Sequence, residues 1–125
     1  AVLGNHDFEG GKQQEIEQIL TDAGVTVLDG EAIEIDGVGF AGVKGFCGGF
    51  GKRTVEPWGE RALKQFVQAA VDEALKLEKA LVRLSSPTCV TLMHYSPIET
   101  TVIGEPPEIY AFLGSSRLSL GCPRR

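Results

Sequence analysis

Gly4-Asn5-His6-Asp7 follows the apolar run 1–3 and is the stretch from which the rest of the chain is interpreted. An apolar run that breaks at glycine predicts a strand end and a polar loop, where open α/β folds gather ligands and catalytic groups. An amide oxygen, an imidazole and a carboxylate stand here in succession, and each can bind a metal or move a proton. The alternative is an ordinary turn, because Asn and Asp are common in loops and at helix caps.

The other histidine of the chain, His94, also follows an apolar run. Residues 89–93 predict a buried strand, and Pro97 ends it three residues after the histidine. Cys89 is expected to pack in this strand as a small apolar residue. One histidine at a strand end is usually structural, whereas two such histidines favour a metal or catalytic site over a turn.

These two blocks resemble the calcineurin-like metallophosphoesterases. The Gly-Asn-His-Asp block at 4–7 is similar to that family's GNH(D/E) block. The His-Tyr-Ser-Pro block at 94–97 is similar to a later histidine block of the family, which also lies at a strand end. The order of predicted elements extends the resemblance over residues 1 to about 113, although only the two blocks are diagnostic.

The resemblance implies a hydrolase that uses a dinuclear centre of divalent metal ions to cleave a small phosphoester, either a phosphomonoester or a phosphodiester. It implies that Asn5 and His94 bind the same metal ion. By the same analogy His6 donates a proton to the leaving oxygen or stabilises it, and Asp7 orients His6. Manganese, iron and zinc all remain open, because nitrogen and oxygen ligands suit each of them.

Several blocks of that family have no counterpart in the sequence. The family carries an Asp-x-His block and a Gly-Asp block before GNH(D/E), and a Gly-His-x-His block near its end, whereas no histidine follows His94. We therefore expect residues 1–125 to be a single partial domain that is inactive, or binds metal only weakly, by itself. The alternative is a non-catalytic α/β module that keeps the scaffold and binds a partner or ligand.

Composition limits the function classes. The 125 residues are 42% hydrophobic, which is ordinary for one globular domain with a core. The net charge of −5 argues against nucleic-acid binding, which needs a basic surface. No apolar run is long enough to cross a bilayer. The 3 cysteines form no Cys-x-x-Cys pair, and this favours a reducing cytoplasm over a disulfide framework.

The hydrophobic pattern predicts an α/β fold in which helices cover a mixed sheet, and the resemblance implies that this sheet is part of a layered sandwich. Asp36-Gly37 is a strong hairpin signal. Whether residues 119–125 are native sequence stays open. The predicted elements are strands at 1–3 and 25–28, a helix at 11–23 that packs on the sheet, a hairpin of 32–35 and 38–43, a long helix at 58–84, a strand at 89–93, an extended segment at 98–103 and a helical turn at 108–113.

Two glycine-rich patterns resemble nucleotide-binding motifs, but neither meets the requirements of the motif. Residues 37–42 match G-x-G-x-x-G but lie in the predicted hairpin and open no helix, so a dinucleotide site is excluded by context. Residues 45–53 are not a P-loop, because Phe46 and Arg53 stand where glycine and Ser or Thr are required. That segment is either a lid over the site or, as we favour, a connection with Phe46 and Phe50 in the core.

Overall fold

One long helix and a three-stranded mixed sheet organise residues 1–120, the part of the chain that this computed structural model describes. The general α/β prediction is therefore confirmed. Short 3-10 helices lie at Gly51–Arg53, Glu99–Val102 and Pro107–Ile109. In chain order the other elements are α1 (Asn5–Glu9), α2 (Gln13–Asp22), β1 (Glu31–Ile35), β2 (Val38–Val43), α3 (Arg61–Val82), β3 (Thr88–Met93), α4 (Tyr110–Leu113) and α5 (Arg117–Leu120).

The predicted hairpin is confirmed. Strands β1 and β2 are antiparallel and end on the pair Ile35 and Val38. The two turn residues have positive φ angles, 50° for Asp36 and 79° for Gly37, as a two-residue hairpin turn requires. Strand β3 then pairs with β2 in parallel, after the chain has crossed over through α3. The sheet order is β1-β2-β3, so the sheet is mixed as predicted.

Helix α3 contributes more buried apolar residues to the core than any other described element. Its apolar residues recur at spacings of three and four, so they form one stripe that packs on β1 and β2. The helix begins at Arg61, three residues later than predicted, and the Trp58 side chain is 71% exposed. The central cluster consists of Ala41, Val43, Leu77, Ala80, Leu81, Leu84 and Leu118.

The N-terminal segment differs from prediction in three ways. Residues 1–3 and 25–28 form no strand, although the Ala1 amino group donates to the Thr26 carbonyl (2.6 Å) and the Leu28 N–H donates to the Ala1 carbonyl (2.8 Å). The predicted loop at 4–7 is the beginning of α1. The predicted helix at 11–23 is confirmed as α2, but it buries no residue and Ile19 is 62% exposed, so its packing on the sheet was wrongly predicted.

Strand β3 lies at the edge of the sheet among the described strands. Its first three residues, including Cys89, are exposed, so the predictions of a buried strand and a packed Cys89 are wrong. The apolar sequence of a strand indicates that it forms, but the strands and helices beside it decide how much of it is buried. Here β2 lies on one side of β3, while α3 packs mainly on β1 and β2.

The segments at both ends of the long helix pack on each other. Phe50 is buried against Val102 and Tyr110, so the glycine-rich segment is anchored in a second apolar cluster, as in the favoured interpretation. Phe46, the other residue predicted to lie in the core, is only half-buried. The prediction that residues 98–103 are extended is wrong, because this segment contains a 3-10 helix. The helical turn predicted at 108–113 is confirmed. The question whether residues 119–125 are native sequence concerns mainly residues 121–125, which lie outside the described part of the chain.

Candidate functional site

The carboxyl ends of the parallel strands β2 and β3 meet at one edge of the sheet. Lys44 follows β2, and His94 follows β3. The Lys44 carbonyl accepts hydrogen bonds from the backbone N–H of His94 (3.2 Å) and of Tyr95 (3.0 Å), which ties the two strand ends together. This is the edge at which open α/β sheets carry ligand sites.

The structure brings the two predicted metal ligands into contact at this edge. Asn5 begins α1, and its Oδ1 atom lies 2.8 Å from Nε2 of His94. An amide oxygen only accepts hydrogen bonds, so this contact requires His94 to carry a proton on Nε2. Both side chains are exposed, and a ligand in solution can therefore reach the pair.

Gly4 and Tyr95 hold the His94 ring from two sides. A Cβ atom at Gly4 would lie 2.9 Å from Cε1 and 3.0 Å from Nδ1 of His94. Gly4 has an ordinary extended conformation, with a φ of −102°, so its missing side chain matters for space and not for backbone freedom. The Tyr95 ring meets the His94 ring edge to face, with 5.3 Å between the centroids.

Asp7 and His6 are placed differently from the prediction. The Asp7 Oδ2 atom accepts the Gly4 N–H at 2.7 Å, and the Asp7 N–H donates to the Gly4 carbonyl at 3.2 Å, so Asp7 fastens the start of α1. The His6 Nδ1 atom instead pairs with Glu9 Oε2 at 3.0 Å, and the His6 side chain is 85% exposed. The predicted contact between Asp7 and His6 is therefore not formed, because helix spacing places Glu9 beside His6.

Lys44 is a site residue that the sequence reasoning missed. Its Nζ atom lies 5.1 to 5.2 Å from the ring centroids of Phe8, Phe46 and Tyr95, and it donates to the Gly45 carbonyl at 2.8 Å. Burial lowers the pKa of Lys44, while Glu73 acts in the opposite direction. A lysine directly after a buried strand and before a glycine-rich segment is the sequence signal that could have identified it.

Tyr95 connects Lys44, His94 and a neighbouring cleft. Burial is the main cause that raises the pKa of Tyr95 to about 12, and the nearby Cys47 adds to it. Burial also raises the pKa of the Cys47 thiol. The phenol of Tyr95 is therefore neutral at physiological pH and acts as a wall and a hydrogen-bonding group.

A cleft of about 470 Å³ opens beside His94, between the edge of β3 and residues 96–113. Its walls combine apolar side chains with a few hydroxyl groups and one carboxylate. The lining includes Met93, Tyr95, Ser96, Thr101, Val102, Glu105 and Leu113.

Within residues 1–120, no three His, Cys, Asp or Glu side chains gather into a group that could hold a metal ion. Asn5 and His94 thus offer two donor atoms.

None of the helices described here has both the length and the apolar composition to span a membrane.

Comparison of the chain with protein-family models, with curated proteins and with solved structures gave no match. The resemblance to the calcineurin-like metallophosphoesterases therefore stays a prediction that rests on the two sequence blocks and on their proximity in space.

Proposed function

We propose that this chain is part of a metal-dependent phosphoester hydrolase of the layered calcineurin-like type, acting on a small phosphoester in the cytoplasm. Asn5 and His94 are the proposed ligands of one divalent ion, which is manganese, iron or zinc. The observation that supports this most is the 2.8 Å contact between two side chains that are 89 positions apart in the sequence.

The spacing of the two donor atoms suits a shared metal ion. A metal held by nitrogen and oxygen at about 2.0–2.2 Å, with about 90° between the bonds, leaves roughly 3 Å between the donors. The 2.8 Å between Asn5 Oδ1 and His94 Nε2 is close to that separation. Metal binding by Nε2 requires its proton to leave, so the metal would replace the hydrogen bond.

The roles of Gly4 and Asp7 follow from their positions, and that of His6 follows from the family resemblance. Bound divalent ions would activate water and neutralise the charge of the phosphate. Gly4 leaves room for the His94 ring, and Asp7 fixes the backbone from which Asn5 projects. His6 is the proposed proton donor to the leaving oxygen or its electrostatic stabiliser. Because Nδ1 donates to the Glu9 carboxylate, donation from Nε2 requires the doubly protonated imidazolium form of His6.

We expect the chain alone to be inactive. Catalytic zinc sites use three protein ligands, and two-metal sites need more, whereas Asn5 and His94 provide two donors. The same shortage among residues 1–120 favours the second candidate function, a non-catalytic α/β module that retains a remnant of the site.

Titration with Mn²⁺, followed by proton NMR, tests the proposed metal site, because bound Mn²⁺ broadens nearby imidazole signals. We expect the signals of His94 to broaden, and we expect Asn5→Ala to weaken the effect. His6→Ala is the matched control and should leave the broadening of His94 unchanged. Broadening of His6 alone would place the metal at the exposed pair with Glu9 and contradict the proposal. Hydrolysis of bis(p-nitrophenyl) phosphate by the same samples should be undetectable.

A further inference from the structure

We propose that the cleft beside His94 binds an uncharged aromatic alcohol, the leaving group of the phosphoester, and discriminates against anionic groups. The link to a phosphoester rests on the proposed function, whereas binding of the alcohol in the cleft needs no metal. The inference is drawn from the size of the cleft, its apolar walls, the direction of its hydroxyl groups and its charge.

The cleft has the size and position of a ligand site. Its volume of about 470 Å³ lies within the usual range for small-molecule sites, roughly 300–1,000 Å³. His94 lies in its wall, so a molecule in the cleft would be next to the pair that His94 forms with Asn5. A leaving group held here would therefore adjoin the proposed metal.

The walls favour a flat apolar group. Met93, Val102 and Leu113 provide aliphatic and thioether surface, and the Tyr95 ring offers a face or edge for aromatic contact. Methionine sulfur and aromatic rings attract each other, and burial of a ring on such surfaces is favourable. Val102 is itself buried in the second apolar cluster, which gives this wall a rigid support.

Two hydroxyl groups of the cleft, those of Ser96 and Thr101, are oriented to accept hydrogen bonds from a ligand. The hydroxyls of Ser96 and Thr101 contact each other, so one donates to the other and the second donates to the Ile98 carbonyl, which lies 2.8 Å from Ser96 Oγ and 2.9 Å from Thr101 Oγ1. Because their hydrogens are used within this turn, their oxygen atoms are left as acceptors. The Glu105 carboxylate is also an acceptor when ionised. A ligand group that faces Ser96, Thr101 and Glu105 must therefore donate, which the hydroxyl of a released alcohol does and a carboxylate or phosphate does not.

The charge of the residues that line the cleft also favours an uncharged ligand. Among the described residues that line the cleft, Glu105 is acidic and none is Lys or Arg. An anionic group in the cleft would face this carboxylate without a cation to compensate, and like charges at short distance repel. The single phosphate of the substrate has the proposed metal as its counter-charge, whereas a second anionic group would have none in the cleft.

Two matched compounds test the proposal on the whole chain, with EDTA present so that no metal contributes. Saturation-transfer NMR compares 2-phenylethanol, a neutral donor, with phenylacetate, an anion of nearly the same size. We expect phenylethanol to bind about fivefold more tightly than phenylacetate, because Glu105 is exposed and the repulsion is that of two charges about 4 Å apart in water. Glu105→Lys should reverse this preference without a change in the fold. Equal binding of both compounds by the unmodified chain would overturn the proposal.

A second pair of variants locates the binding. Thr91 lines the cleft, whereas Thr88 is exposed and points to the opposite face of the same strand. Thr91→Trp should fill the cleft and abolish phenylethanol binding, while Thr88→Trp should retain it. Unchanged binding by Thr91→Trp would place the compound elsewhere and refute the site. Because Glu105→Lys reports on the cleft without altering the sheet, the proposal stays testable if Thr91→Trp does not fold. A failed Mn²⁺ titration would refute the metal site and leave this result intact.

Discussion

The Oδ1 atom of Asn5 lies 2.8 Å from the Nε2 atom of His94, and this contact joins the start of a helix to the end of a strand. A solvent-exposed hydrogen bond contributes little to stability by itself. The contact therefore depends on the groups that position the two side chains. Gly4 and Tyr95 adjoin the His94 ring, and Asp7 binds the Gly4 N–H at the start of the helix that carries Asn5.

Gly4→Ala should separate the pair without unfolding the protein. The new Cβ atom would lie 2.9 Å from Cε1 of His94, and the exposed ring can rotate away at small cost. We expect the imidazole nitrogen shifts of His94 to change and the affinity for Mn²⁺ to fall by about tenfold or more, the loss of roughly one ligand interaction. Nitrogen-detected NMR of the histidine rings and a metal titration measure both effects.

Gly10→Ala is the control for this variant, because a Cβ atom at Gly10 meets nothing within 4 Å and its φ is negative. It should leave the His94 signals and the metal affinity unchanged. Identical effects of both substitutions would mean that Gly4 acts through the backbone of α1 and not through contact with the ring.

The hairpin and the long helix could be predicted because their signals are local. Asp36-Gly37 specifies a tight turn, and the apolar stripe of α3 follows from spacing alone. The edge position of β3 depends on the order of strands, which no local pattern encodes, so the exposure of Cys89 was missed.

The candidate site also depends on features that local sequence patterns do not encode. Proximity of Asn5 and His94 was expected from family resemblance, and the sequence between them carries no signal for it. The partner of Asp7 depends on where α1 begins. A loop at 4–7 would leave the carboxylate free to reach His6, whereas a helix start at Asn5 turns it back to the Gly4 N–H.

Leu77→Ala should be the more costly of two leucine truncations in α3. Leu77 is fully buried against the sheet, whereas Leu75 on the same helix is 44% exposed. We expect Leu77→Ala to lower the free energy of unfolding by about 2–5 kcal/mol through lost contacts and a cavity. Leu75→Ala should cost less than about 1 kcal/mol. Urea denaturation compares them, and similar losses would contradict the packing of α3 on the sheet.

Tyr95 should make the stability of the protein depend on alkaline pH. Its pKa is raised from 10.0 in the unfolded chain to about 12 in the folded protein. A raised pKa gives stability that is fully present below pH 10 and lost as the pH rises towards 12. In Tyr95→Phe this loss should be smaller. Denaturant midpoints measured across this pH range provide the comparison.

The ultraviolet absorbance of phenolate gives an independent check of the pKa of Tyr95. Tyr95→Phe should lack the titration step near pH 12, whereas Tyr110→Phe, which retains Tyr95, should keep it. A step near 12 that persists in Tyr95→Phe would assign the raised pKa to another group.

Asp7→Ala should disturb His94 and leave His6 unchanged. The substitution removes the acceptor of the Gly4 N–H, and loss of such a cap typically costs about 0.5–2 kcal/mol. The start of α1 should loosen, and Asn5 should lose its contact with His94. Asp7→Asn, which keeps an oxygen acceptor, should show a smaller change.

Histidine nitrogen NMR, at a pH where both rings are neutral, follows the two imidazoles separately and compares Asp7→Ala with Glu9→Gln. Glu9 pairs with His6 at 3.0 Å, so Glu9→Gln should shift the signals of His6 and spare His94. Asp7→Ala should do the reverse. If Asp7→Ala instead shifts His6 as strongly as Glu9→Gln does, Asp7 orients His6 as the family resemblance implies, and its bond to Gly4 is secondary.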